Sequence, residues 1–158
     1  MNAMKPLYDG KDKRWFVKYK LANGQTFFMS FSVFDSCRTR DGWTNWWNIA
    51  MCVVSKRKNI DRVFDECVLS GKDPFQTFCV ARKAFSVLEE HIFRTSYWSG
   101  YTNIVCVSWL DNRRRDLYAR FLCPKGYRFS MIDGHSKVLM KVYPPCVEET
   151  SNTQEALT

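Results

Sequence analysis

Two runs of alternating apolar residues, KRWFVKYK (13–20) and QTFFMSFSVF (25–34), flank Asn23-Gly24. Both residues of that dipeptide accept positive φ. Asn-Gly between alternating runs is the strongest short-range signal of a β-hairpin. Side chains on a strand alternate between its faces, so Phe27, Met29, Phe31 and Val33 share one side, which is assigned to the core.

The pattern after the hairpin is mixed. Residues 35–48 (DSCRTRDGWTNWWN) read as an excursion with a turn at Asp41-Gly42 and clustered Trp43, Trp46 and Trp47. A third strand is expected at about 48–55, then a basic link, Lys56-Arg57-Lys58-Asn59, and an ambiguous segment at 60–69 that reads as strand in its second half. The spacing of Phe78, Ala81, Phe85, Leu88 and Ile92 predicts a helix over 74–93, capped by Asp73 and opened by Pro74. A buried strand follows at 103–109. A second helix then runs from Asp111 or Asn112 to about Leu122, with Leu117, Tyr118 and Phe121 facing inward. Pro124 and Gly126 end it, and Tyr127–Ile132 pairs with Lys137–Tyr143 across Asp133-Gly134. The fold class expected is α/β (α+β), a mixed, mainly antiparallel sheet flanked by two main helices. Residues 1–143 form the single domain, and 144–158 are expected to be a disordered acidic tail.

The length of 158 residues suits one domain with one core, and 16% aromatic content suits dense packing. No apolar run nears the roughly 20 residues that span a bilayer, so no membrane association is expected. The opening MNAMKPLYDGKDKRW lacks the apolar core of a secretory signal. The seven cysteines include no CxxC pair and mostly sit in apolar runs (AMCVV, TFCVA, IVCVS). They read as reduced core thiols in an intracellular protein, not as metal ligands. Residues 1–143 hold 24 basic against 13 acidic side chains, a net charge of +11, which suits an acidic protein, a nucleic acid or a polyanionic cofactor.

The pieces SGKDPFQTF (70–78), IVCVSW (104–109), DNRRRDLY (111–118) and GYRF (126–129) resemble the C-terminal half of the GNAT acyltransferase superfamily, over about 75 residues. The pattern is especially similar to short GNAT-like proteins of bacteriophages. The resemblance implies a GNAT-like fold and phage origin. It also implies an acetyl-CoA site using Gly71 and Lys72, with Tyr118 as the acid that protonates the departing thiolate.

The residues depart from what acetyl transfer requires. A pyrophosphate is cradled by backbone N–H groups at a helix start, where small residues permit close approach. Here Gly71 is followed by Lys72-Asp73-Pro74. Proline removes a donor and Asp73 adds a negative charge. Gly126-Tyr127 follows Tyr118 after eight residues where the family pattern has about four, one extra helical turn. The carboxylates Asp65, Glu66 and Glu90, and the lone His91 and His135, have no motif around them to mark a general base.

Binding is therefore the expected role, with a host or phage protein as partner, a nucleic acid as the other option, and no cofactor. Its surfaces would be Arg113, Arg114, Arg115 and Arg120, the basic link Lys56, Arg57 and Lys58, and Trp43, Trp46 and Trp47. Consecutive arginines point about 100° apart, so they cannot all meet one flat partner. The alternatives are an active acetyltransferase and a structural or assembly protein that forms homo-oligomers through an exposed strand and the tryptophans. The setting implied is the cytoplasm of an infected cell.

Overall fold

The computed structural model describes residues 4–54, 73–94 and 100–145. The basic link Lys56-Arg57-Lys58, the ambiguous segment 60–69, Gly71, Lys72 and the acidic tail from residue 146 lie outside the described residues.

The elements run β1 (Leu7–Asp9), β2 (Arg14–Lys20), β3 (Thr26–Thr39), β4 (Gly42–Val54), α1 (Pro74–Arg94), β5 (Thr102–Val107), α2 (Asn112–Leu122), a short 3₁₀ turn (Cys123–Lys125), β6 (Arg128–Ile132) and β7 (Ser136–Tyr143). Together they are a mixed α/β structure with one seven-stranded sheet, ordered β1-β2-β3-β4-β5-β7-β6. Every neighbouring pair is antiparallel except β4 and β5. Parallel strands need a long crossover, and α1 lies within the one between them.

The Asn23-Gly24 hairpin forms as its residues dictate. Lys20 pairs with Thr26, Gly24 takes φ +82°, and Asn23 Oδ1 accepts the Gln25 N–H at 3.0 Å. Phe27, Met29 and Phe31 are buried, and Val33 packs against the same cluster. α1 lies over this face: Phe85 meets the Phe31 ring edge-on at 5.4 Å, and Ala84, Leu88 and Ile92 are fully buried. Asp73 caps the helix as expected, its carboxylate accepting the Gln76 N–H at 2.9 Å.

Residues 35–48 are no excursion. β3 and β4 continue as one long hairpin, paired from Thr26↔Val54 to Thr39↔Gly42, with the turn at Arg40-Asp41. The apolar alternation fades there because β3 is exposed from Phe34 onward and two of the buried positions of β4 opposite it, Thr44 and Asn45, are polar. The three tryptophans consequently do not cluster. Trp47 is core (1% exposed), Trp46 lies half-buried on the opposite face, and Trp43 is 48% exposed near the turn. The rule that adjacent residues face opposite ways separates Trp46 from Trp47.

β5 meets β4 over only five residue pairs, Thr44↔Thr102 to Asn48↔Cys106. A buried polar group sits at this junction. Asn103 Oδ1 accepts the Trp47 indole N–H at 2.8 Å and the Asn45 amide at 3.5 Å, while Asn45 Oδ1 accepts the Ser36 hydroxyl at 2.8 Å. Asn103 also donates to the Tyr101 carbonyl at 3.1 Å. Buried amides are tolerated only when paired, so this network fixes the parallel register.

Gly126, at φ +93°, ends the turn after α2 and sends Tyr127 into the core. Its neighbours form a clamp on α1. Glu89, largely buried, pairs with Lys125 at 3.2 Å and Lys141 at 3.4 Å and accepts the Tyr143 hydroxyl, which itself meets the Tyr127 hydroxyl at 3.3 Å. The Asp133-Gly134 turn forms, with both residues at positive φ.

Two further expectations are corrected. Leu117 does not pack into the core with Tyr118 and Phe121 but is 40% exposed, lining the cavity between the two helices. Cys79, in TFCVA, is exposed on the outer face of α1, while Cys52 and Cys106 are buried.

Asn103→Leu removes the acceptor from Trp47 and Asn45 and is expected to cost about 2 kcal/mol in urea unfolding. Its effect is expected to overlap strongly with that of Trp47→Phe in a double-mutant cycle, since both break one network.

Burial pushes the Cys52 and Cys106 thiols up to about 11 from a reference of 9.0. A raised folded value means that the contribution is fully present below pH 9 and is lost as pH rises through 11. Thermal unfolding from pH 8 to 11 is expected to show falling stability, less steep in the Cys52→Ala, Cys106→Ala double variant.

Candidate functional site: a cleft where the sheet divides

β4 continues through Ile49–Val54 after its last pairing with β5 at Asn48. β5 ends at Val107, and the chain turns through Ser108, Trp109 and Leu110 into α2. Among the described residues, no strand pairs with Ile49–Val54 of β4 on this side. The two halves of the sheet diverge, and a cleft of about 430 Å³ opens between them. That size suits a small ligand or an anchoring side chain with its neighbours.

One wall is the edge of β4 itself, with Ile49, Ala50, Met51 and Val53 all contributing. Consecutive residues point to opposite faces of a strand, so a wall containing 49, 50 and 51 includes the strand's edge and not one of its faces. The second wall is the first half of α1, with Thr77, Phe78, Ala81, Arg82 and Phe85; the third is α2, with Arg114, Leu117, Tyr118 and Phe121. The interior is predominantly apolar, and the two arginines bring positive charge. Arg82 lies 5.9 Å from the Phe78 ring centre and 5.2 Å from that of Phe121, a cation–π bracket that holds the guanidinium between the helices.

Asp111 starts α2 by accepting the Arg114 N–H at 2.9 Å, and it also pairs with the Arg114 guanidinium at 3.5 Å. This pairing offsets the clash of an early arginine with the helix dipole. Tyr118, one turn on, is half-buried in the cleft. Burial raises its phenol above the ordinary range, the Arg114 charge opposes the rise and Asp111 adds to it. The phenol is therefore protonated at neutral pH and available as a donor.

Of the expected site residues, the structure brings Tyr118 and Arg114 to one place. Arg115 turns aside to pair with Asp116 at 2.8 Å and Asn112 at 3.2 Å, and Arg113 and Arg120 are exposed on α2 outside the cleft walls. The four arginines do not form one patch, as their angular spacing requires. Trp43, Trp46 and Trp47 line no part of the cleft. Glu90 is exposed on α1, His91 packs edge-on against Trp15 at 4.4 Å, and His135 is exposed in the β6–β7 turn. Among the described residues no three His, Cys, Asp or Glu side chains come together as a metal site. No helix of the described residues is long and apolar enough to cross a membrane.

Sequence reasoning missed Arg82, Trp109 and the edge of β4. Phe78 and Arg82, four residues apart on α1, were a legible hint of a shared helix face. The stretch of β4 that β5 leaves unpaired had no local signal, because it depends on where a distant strand stops.

The start of α1 is already occupied. Pro74 has no N–H, and the Gln76 N–H is taken by the Asp73 carboxylate. Asp73→Ala is expected to cost about 0.5–2 kcal/mol in urea unfolding, and Asp73→Ser to retain most of the cap.

Comparison with family models, with curated proteins and with solved structures finds no match for this chain.

Proposed function

We propose that this chain is a binding protein of GNAT-like architecture that takes an extended segment of an acidic protein partner into the cleft between β4 and β5. The setting is the cytoplasm of a phage-infected cell, with a host or phage protein as the partner. The observation that carries the reading is the edge of β4, open on the cleft side among the described residues and walled by apolar side chains. A peptide added to an open strand edge gains main-chain hydrogen bonds, and flanking pockets read its side chains. Phe78, Met51 and Phe121 suit an apolar anchor, and Arg82 and Arg114 suit flanking carboxylates. The first turn of α1 favours binding over acyl transfer, since Pro74 and Asp73 leave a pyrophosphate few donors and a repelling charge. A peptide places no such demand on that turn.

Tyr118 favours a second reading. Its protonated phenol lies in the same cleft, and in an acetyltransferase it would protonate the CoA thiolate, with Gly71 and Lys72 holding acetyl-CoA.

Selection of random displayed dodecapeptides on the full-length protein separates the two. Enriched peptides are expected to carry Asp or Glu beside a large apolar residue. Their binding is expected to weaken at high salt and to fall at least about 10-fold in the Arg82→Glu, Arg114→Glu variant. Saturable micromolar binding of acetyl-CoA by calorimetry, with no peptide enriched over a protein-free control, would overturn the proposal in favour of the enzyme.

A further inference from the structure

Two cavities share wall residues where β4 and β5 part. The cleft between the helices includes Asn48 and Ser108 in its walls, and so does a second cavity of about 280 Å³. The floor of the second cavity is Cys106 and Val138, both buried. These alternate along their strands with Val105, Val107 and Leu139, which belong to the helix-side core. The second cavity therefore opens on the sheet face turned away from the helices.

A backbone irregularity shapes it. The β3–β4 register shifts between Val33, opposite Trp47, and Asp35, opposite Trp46, so Phe34 is the extra residue of a β-bulge. Phe34 is 53% exposed and lines this cavity. Bulges re-aim side chains and occur beside binding sites.

The chemistry of the lining is selective. It contains no Lys, Arg, Asp, Glu or His, and burial pushes the Cys106 thiol up to about 11, so it is neutral at physiological pH. A charged group entering here would find no counter-charge in the lining. Asn48, Ser108 and Ser136 each carry groups that both donate and accept, and no described residue hydrogen-bonds their side chains. Phe34, Ile132 and Val138 supply an apolar surface for a short methylene stem.

We infer that this cavity is the far subsite of the cleft and takes a side-chain carboxamide of the segment bound along β4. The inference rests on the binding function proposed above and names one feature of its partner, an uncharged Gln or Asn side chain that passes through the fork of the sheet. A carboxamide both donates and accepts, as the three lining polar side chains do. Its carboxylate and ammonium counterparts would each find no counter-charge in the lining.

Three matched probes test this on the isotope-labelled full-length chain: butyramide, butyrate and butylammonium, each titrated to about 50 mM while backbone amide shifts are followed. Butyramide is expected to shift Cys106, Ser108, Ser136 and Val138 saturably, and the charged probes to leave them in place. Ser136→Val, at an exposed position that begins β7, is expected to weaken butyramide binding about 2- to 10-fold. Equal or stronger binding of a charged probe, no shift with any probe, or an unchanged affinity in Ser136→Val would overturn the assignment. Amides of Met51, Val53 and Tyr118 report separately on the cleft. A selected peptide that shifts those while butyramide leaves Ser136 unmoved would sink the subsite and keep the binding function; the converse pattern would sink the binding function instead.

Discussion

Five residue pairs join the two halves of the sheet. β1–β4 form one antiparallel unit, β5, β7 and β6 form another, and the parallel ladder between β4 and β5 is their strand-to-strand seam. A parallel pairing is slightly weaker per residue than an antiparallel one, and here it is short. Its register is held by Asn103, which satisfies Trp47 and Asn45 at the centre of the seam. Because the amides are buried, a slip of β5 by one residue would leave them unpaired and turn Val105 and Val107 out of the core. The cleft follows directly. The seam ends at Asn48 and Cys106, β4 continues, and the space between the diverging halves is left for the helices to roof.

The roof has its own fastening. Glu89 on α1 draws together Lys125, Lys141 and Tyr143, and the Tyr143 ring stacks on Phe93 at 4.3 Å. One helix is thereby tied to β7 and to the turn that follows α2. Charge-assisted hydrogen bonds around one carboxylate resist sliding better than apolar contact alone, since they have a preferred geometry. The clamp lies on the C-terminal half of α1, whereas the cleft lies against its N-terminal half. Rigidity at one end and an accessible wall at the other suit a preorganised binding site.

The electrostatics of the cleft are modest but directional. Arg82 is held by two aromatic rings and Arg114 by one carboxylate. Each brings positive charge to the cleft wall without filling it. The anion-seeking end of α1, by contrast, is neutralised by its own cap. An occupant that is apolar at its centre and acidic at its flanks meets both conditions.

Much of the fold was legible because its signals are local. Asn23-Gly24, Asp133-Gly134, the helical stripe over 74–93 and the caps at Asp73 and Asp111 each act within a few residues, through φ preferences and side-chain hydrogen bonds. Tyr118 and Arg114 were legible as candidates for the same reason, being two positions on one short helix. The Trp-bearing stretch was misread because β3 is exposed from Phe34 onward and the buried Thr44 and Asn45 of β4 are polar, so no apolar alternation marks the strands. What tertiary structure alone decided was which strands meet and where they cease to meet. The residues by themselves determined the hairpins at Asn23-Gly24 and Asp133-Gly134, the helices and their caps, whose energetics are set within a turn or two of chain. The parallel seam, the cleft beyond it and the pairing of Arg82 with Phe121 arise between segments tens of residues apart, where the geometry of the whole sheet sets the contact.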